Sequence, residues 1–207
     1  MRVPTEAESP AKRTRMSAAE RREQLLDVTE RIVLDDGFHA VSIEAVARAA
    51  GVTRPIVYDH FHDLTGLLEA LTDRTSQRAI AQLGEVLVTD LDTRNPREEL
   101  LRALGAYLDA ARADPGTWRL VLMPPEGAPA MVRERIATGR AAVLTQLAER
   151  VRAGFGSGRE SPDPELTAAM LSTLADEQVR LMLTDPERYP VDRLLRHARW
   201  WLDQFAG

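Results

Sequence analysis

Residues 41–68 read VSIEAVARAAGVTRPIVYDHFHDLTGLL, and the fold turns on how this stretch is parsed. Ser42 is an N-cap residue in front of a first short helix, whose inward side carries Ile43, Val46 and Ala47. Gly51 then supplies a residue that accepts positive φ where that helix must stop. Thr53 is placed to cap a second helix, with Pro55 in its first turn, where a missing amide proton costs little. Ile56, Val57 and Phe61 anchor this second helix. Thr53, Arg54, Pro55, Tyr58, Asp59 and His60 are left for an outward surface. Ala47 and Ala50 are small enough for the two helices to cross closely. The stretch therefore reads as a helix-turn-helix, a shape that enters a DNA groove.

Upstream, Ser17-Ala-Ala-Glu20 forms a capping box, and Leu25, Leu26, Val28, Ile32 and Val33 follow as an apolar stripe at helical spacing. Asp35-Asp36-Gly37 ends that helix, and Phe38 and Val41 lead into the motif, so three helices share one small core. Residues 1–16 carry almost no large apolar side chain and are expected to form a flexible arm. Lys12, Arg13 and Arg15 in this arm, with Arg21 and Arg22 just beyond it, form a local basic cluster suited to phosphate contact or to simple solvation.

Downstream, Asp63 caps a fourth helix with Leu64, Leu67, Leu68, Leu71, Ile80 and Leu83 among its apolar positions. Asn95-Pro96 restarts the chain for a helix to about Ala113, and Asp114-Pro115-Gly116 interrupts it. A short segment, Thr117 to Met123, precedes the break at Pro124-Pro125. Further helices are expected over Pro129 to Ala153, Pro164 to Thr184 and Val191 to Phe205. No series of period-two segments with hairpin turns is present. The expectation is an all-α protein of about nine helices: a flexible arm over 1–16, a three-helix helix-turn-helix DNA-binding domain over 17–62, and a helical ligand-binding and dimerisation domain over 63–207.

The 207 residues are enough for a sizeable core, and with no cysteine there is neither a disulfide nor a thiolate metal site. A net charge of −5 argues against binding nucleic acid through bulk positive charge, so any DNA contact must be local. No signal peptide or long uninterrupted apolar run is seen, which makes the cytoplasm the expected location, with no membrane contact. Lys12 is the sole lysine among 27 Lys and Arg residues, a bias with no functional meaning of its own.

Gly37 to Leu71, GFHAVSIEAVARAAGVTRPIVYDHFHDLTGLLEAL, resembles the TetR family of bacterial transcriptional regulators (TetR/AcrR-like). The glycine closing the first helix, the alanine-rich helix before Gly51 and the Tyr58-to-Phe61 spacing before a fourth helix carry the resemblance, which extends from about Ser17 to Leu71. It implies a homodimer placing two recognition helices in adjacent major grooves of a pseudo-palindromic double-stranded operator. Under that resemblance Arg54 is the leading candidate to present two donors to guanine, and Pro55 to contact a thymine methyl. Tyr58, His60, Thr53 and Ser42 are assigned to phosphates, alongside the basic arm. One position departs: where the family often carries a lysine at the start of the fourth helix, this chain has Leu64, which removes one expected backbone contact.

The resemblance also implies a small, largely apolar effector and ligand-released repression. Tyr107, Trp118, Leu122, Met123, Met131, Phe155, Met170 and Leu174 are the candidates to line its cavity, being flexible or aromatic groups suited to apolar surfaces. Arg119 or Asp176 is available for a polar end. The last two helices carry apolar residues on more than one face, among them Leu166, Met170, Leu174, Trp200, Trp201 and Phe205, which marks them for the dimer interface.

Other chemistry finds little support. His60 and His62 converge poorly on a helix, with no second ligand pair, so no metal is expected. No phosphate-binding glycine loop or nucleophile elbow is present, no cofactor is implied, and an enzyme has no residue set behind it. A second reading stays open: a helical interaction module that uses the helix-turn-helix to hold another protein, suggested by the acidic total and by Leu64.

Overall fold

The computed structural model describes residues 16–87, 95–154 and 163–205. Nine α-helices and one 3₁₀ turn, with no strand, occur among the described residues. The helices are α1 (Ala18–Asp36), α2 (Ile43–Ala50), α3 (Arg54–Phe61), α4 (Leu64–Leu87), α5 (Pro96–Ala113), α6 (Pro115–Leu122), α7 (Ala130–Gly154), α8 (Pro164–Thr184) and α9 (Val191–Phe205). The 3₁₀ turn, Phe38–Ala40, joins α1 to α2.

Local sequence explains most helix ends. Ser17 and Glu20 form the reciprocal capping box of α1. The α2 terminus is a Schellman turn: Gly51 adopts φ +67, its amide donates to Arg48, and Val52 N donates to Ala47 O at 2.9 Å. Asn95, Asp114 and Asp163 cap α5, α6 and α8, each followed by a proline in the first turn. Thr53 departs from expectation, since its side chain makes no capping bond to α3. Pro55 supplies the fixed φ that starts this helix without one.

A first core joins Leu25, Val33, Val46, Val57 and Phe61 of the three N-terminal helices to Leu67, Leu68 and Leu71 of α4. Leu120, Ala128 and Val132 enter the same core from α6, the following turn and α7. The first half of α4 is thus built into the core of the three N-terminal helices, hereafter the head, and burial of each such leucine contributes about 1.5–3 kcal/mol towards keeping it there. A second core gathers Tyr107, Leu108, Trp118, Val179, Met182 and Leu194 from α5, α6, α8 and α9, with Ala79 of α4. One helix, α4, therefore runs through both. Trp118, only 1% exposed, stacks edge-on to Tyr107 and donates from Nε1 to Gln82 of α4 at 2.7 Å. No described helix is long and apolar enough to cross a membrane.

Candidate nucleic-acid interface and effector cavity

Helix α3 is held from behind. Arg22 of α1 donates from Nη1 to His60 O at 3.0 Å and lays its guanidinium over the Phe61 ring, 4.5 Å from the centroid. Gln24 Nε2 reaches Ala50 O at the end of α2. Arg22 reads in the sequence as part of a basic cluster suited to phosphate contact or to simple solvation. Its place in the structure is behind α3, where it fixes the helix that carries the outward residues.

At the junction of α3 and α4 the chain turns tightly. His62 adopts φ +66 and ψ −48, and Asp63 N donates to Phe61 O at 2.8 Å, closing a three-residue turn in a region that L residues rarely occupy. Asp63 Oδ1 accepts from Gly66 N at 2.8 Å as the N-cap of α4. A Cβ at Gly66 would lie 2.3 Å from Phe61 O, so only glycine allows α4 to approach the end of α3 this closely.

With its back pinned, α3 presents Thr53, Arg54, Pro55, Tyr58 and Asp59 outward, all exposed, while His60 is half-buried. Tyr58 is 47% exposed, a large aromatic left open to solvent. Arg54 Nη1 lies 3.8 Å from Glu44 Oε2, both side chains being over 60% exposed. A contact of that kind is worth at most about 1 kcal/mol and yields readily to a better acceptor. Ser42 Oγ accepts from Ala45 N at 3.1 Å, leaving the hydroxyl proton free to donate. Lys12, Arg13 and Arg15 lie outside the described residues.

Toward the other end of α4 lies a cavity of about 350 Å³ between α4, α5, α7, α8 and α9. Its walls include Leu83, Leu104, Tyr107, Leu147, Leu174 and Trp201. A second space of about 70 Å³ shares Leu83, Tyr107 and Asp176 with it and adds Trp118, Leu122 and Arg140. Of the side chains the sequence nominates, Tyr107 and Leu174 line the larger cavity, and Trp118 and Leu122 the smaller. Met123 packs on the second core and Met131 on the first, while Met170 is 59% exposed on α8. These three line neither space. Phe155 lies outside the described residues. Arg119 donates to Leu183 O at 3.2 Å and lines neither space, whereas Asp176 lines both.

The buried polar centre between the two spaces is Asp176, 5% exposed. Tyr107 Oη donates to its Oδ1 at 2.9 Å, and Arg140 Nη2 of α7 lies 2.6 Å from its Oδ2. Burial and the neighbouring Asp176 carboxylate push the Tyr107 phenol well above its usual range, so it serves as a neutral donor. Tyr107 and Asp176 lie 69 residues apart, and only the packing of α5 on α8 reveals their pairing. Among the described residues no group of three His, Cys, Asp or Glu side chains is arranged to hold a metal ion.

The fold thus joins a helix-turn-helix to a helical body that contains a cavity. Residues 25–71 match the family model for bacterial regulatory proteins, tetR family. The HTH-type transcriptional activator FasR of Mycolicibacterium smegmatis is 31% identical over 107 residues, which are 52% of this chain and 48% of FasR. The match thus spans about half of that relative's length. Two solved structures share the fold. A TetR-like transcriptional regulator from Rhodococcus sp. RHA1 has a TM-score of 0.71 at 21% identity, over 93% of this chain and 100% of that one. FadR from Bacillus subtilis in complex with stearoyl-CoA has a TM-score of 0.68 at 19% identity, over 87% and 96% of the two chains. Over residues 25–71 the chain is thus similar to the TetR family of bacterial regulatory proteins, and along most of its length it shares the fold of the two solved structures.

Proposed function

We propose that this chain is a ligand-released repressor whose homodimer binds a pseudo-palindromic operator. The observation that carries the reading is the exposed face of α3 running from Thr53 to Tyr58, fixed from behind by Arg22 and, among the described residues, open to solvent. Arg54 offers guanine a planar pair of donors, Pro55 offers a thymine methyl an apolar contact, and the hydroxyls of Ser42, Thr53 and Tyr58 are placed for phosphates. His60 and the arm residues Lys12, Arg13 and Arg15 belong to the same set of backbone contacts. The surface fits DNA because it gathers an arginine and several hydroxyl groups, the donors that phosphates and base edges accept from.

Dimerisation through α8 and α9 follows from their exposed apolar residues. Leu166, Met170 and Leu174 recur every fourth residue along α8 and are 57, 59 and 45% exposed, and Trp200 of α9 is 56% exposed. A stripe of this kind on a monomer marks an interface. The cavity supplies the switch. Leu83 of α4 forms part of its wall, and Leu67, Leu68 and Leu71 of the same helix sit in the head core. An effector that favours one setting of α4 thereby favours one spacing of the two heads, and only such differential affinity produces regulation. FadR holds stearoyl-CoA. The cavity here, near the lower end of the usual range of about 300–1,000 Å³, fits a smaller and largely apolar effector.

Selection of bound fragments from random duplex DNA tests the reading. It predicts recovery of an inverted repeat with salt-sensitive affinity, and a collection with no common sequence would contradict it. A reporter behind the recovered site then fixes the sign: loss of the regulator raises expression under repression. It lowers expression if this chain acts as FasR is named, an activator.

A further inference from the structure

The larger cavity opens to one side. Of the described residues that line it, four are exposed: Leu174 and Glu177 on α8, and His197 and Trp201 on α9. The lining residues contributed by α4, α5 and α7 are all buried or half-buried. The mouth therefore lies along α8 and α9. On α8, Leu174 is at once cavity wall and the last member of the exposed row that includes Leu166 and Met170, which line neither space. Residues four apart share a helix face, so this row carries the apolar wall out through the mouth. On α9, His197 lines the cavity and stacks on Trp200, with 5.6 Å between ring centroids, and Trp200 lies outside both spaces. One largely apolar surface thus starts inside the cavity and continues onto the outside of both helices. Left uncovered, the mouth exposes to water its own rim and one side of any apolar molecule within.

The charges at the rim indicate what covers it. Two copies related by a two-fold axis set one surface against itself, so a self-complementary surface carries both signs. The α8 side offers a carboxylate, Glu177, three residues beyond Leu174 and with its side chain 58% exposed. The α9 side offers Arg193 and Arg196, both exposed and seven and four residues before Trp200 on the same helix face. Glu177 pairs with Arg180 and Arg196 with Asp192, but these are exposed pairs within one helix and give way readily. With α8 of each copy against α9 of the other, carboxylate meets guanidinium on both sides of the axis.

We propose that a second copy of this chain seats on the α8–α9 rim and closes the cavity, so that the effector site is complete only in the dimer. This rests on reading the cavity as the effector site and α8 and α9 as the dimer face, and it adds that the two are one continuous surface. Ligand and partner then strengthen each other's binding, by the reciprocity of linkage. A cover that takes roughly 55 Å² more of the ligand's apolar surface out of water, at ~25 cal/mol per Å², tightens the ligand about ten-fold. With two cavities per dimer, saturating ligand tightens the dimer about a hundred-fold.

The test uses decanol, kept below its solubility limit, as an uncharged apolar probe of the full-length protein. Calorimetry gives its affinity, and sedimentation with and without it gives the dimer's dissociation constant. Met170→Glu places a charge on the rim at a position that lines neither space. It should be folded and monomeric, and should bind decanol about ten-fold more weakly than dimeric wild type. Saturating decanol should lower the wild-type dimer's dissociation constant about a hundred-fold. Leu166→Glu, two turns from Leu174, gives the same comparison should Met170→Glu not fold. A monomeric variant that binds decanol as tightly as wild type overturns the proposal and leaves the effector cavity standing within one copy. A variant that stays dimeric overturns it by placing the interface elsewhere. Failure of wild type to bind decanol removes the effector reading of the cavity and the proposal together.

Discussion

Replacing Arg74 with methionine removes the cation that joins α4 to α1. Its guanidinium is 9% exposed and meets three carboxylates of α1: Asp27 at 2.7 Å, Glu30 at 2.6 Å and Glu23 at 3.2 Å. Losing one member of a buried pair costs about 3–5 kcal/mol because the other charge is stranded. Here most of the cost falls on one arm. Glu23 and Asp27 are 55 and 59% exposed and recover water, so each contributes no more than the ~1 kcal/mol of a surface pair. Glu30, 14% exposed, keeps Arg78 at 3.7 Å as its ion-pair partner among the described residues. Arg74 Nε is also buried without a partner, so the native arrangement is itself imperfect and methionine relieves that group. The net expectation is a loss of about 2–3 kcal/mol for Arg74→Met. Adding Glu30→Gln should return at least about 1 kcal/mol by removing the stranded charge. Urea unfolding of wild type, both single variants and the double variant at one protein concentration measures the cycle. A single variant within about 0.5 kcal/mol of wild type, or a double variant less stable than Arg74→Met, would refute the reasoning.

Two glycines of α4 should respond in opposite directions. Gly66→Ala forces a Cβ against Phe61 O at 2.3 Å and should destabilise the protein by about 1–3 kcal/mol, with weakened operator binding as α3 shifts. Gly84→Ala meets nothing within 4 Å and should stabilise it by about 0.5–1 kcal/mol, so thermal melts that order the two variants the other way would contradict the helix packing. The capping box carries a pH signature. Hydrogen bonds from the Ser17 backbone and side chain hold the Glu20 carboxyl below its ordinary value. Its contribution is therefore fully present above the unfolded carboxyl pKa and fades as pH falls through the lowered native one. The stability advantage of wild type over Glu20→Gln should accordingly shrink on acidification, and an advantage that grows would rule the linkage out.

Local chemistry made the helices legible. Caps followed by proline place the starts of α5 and α8, and the glycine at 51 places the end of α2, because each of these signals acts within a few residues. Asp114-Pro115-Gly116 does interrupt the helix that ends at Ala113, but the sequence does not show that a new helix starts at the same place. In the structure Asp114 caps α6, which begins at Pro115, and Gly116 allows close approach to Glu30. The outward face of α3 was readable because burial follows helical period. The cavity was not, because period tells which residues are inside without telling which space they face. Met131 therefore lies in the head core, and Met170 on the surface. Arg22, Arg74 and Arg140 gain their roles from partners 38 to 51 residues away along the chain, as with Arg22 and Arg74, or on a different helix, as with Arg140 and Asp176. No sequence window contains both members of these pairs.

Operator affinity at fixed salt for Arg54→Ala and Tyr58→Phe, measured on the selected site and on variants of each base pair, tests the DNA-reading head most directly. Arg54→Ala should lose about 1–3 kcal/mol and relax preference at one guanine, because a bidentate base contact is removed. Tyr58→Phe should weaken binding uniformly across sequences and leave the base preference intact. Unchanged affinity and unchanged sequence preference in both variants would contradict the assignment of this face of α3 to DNA.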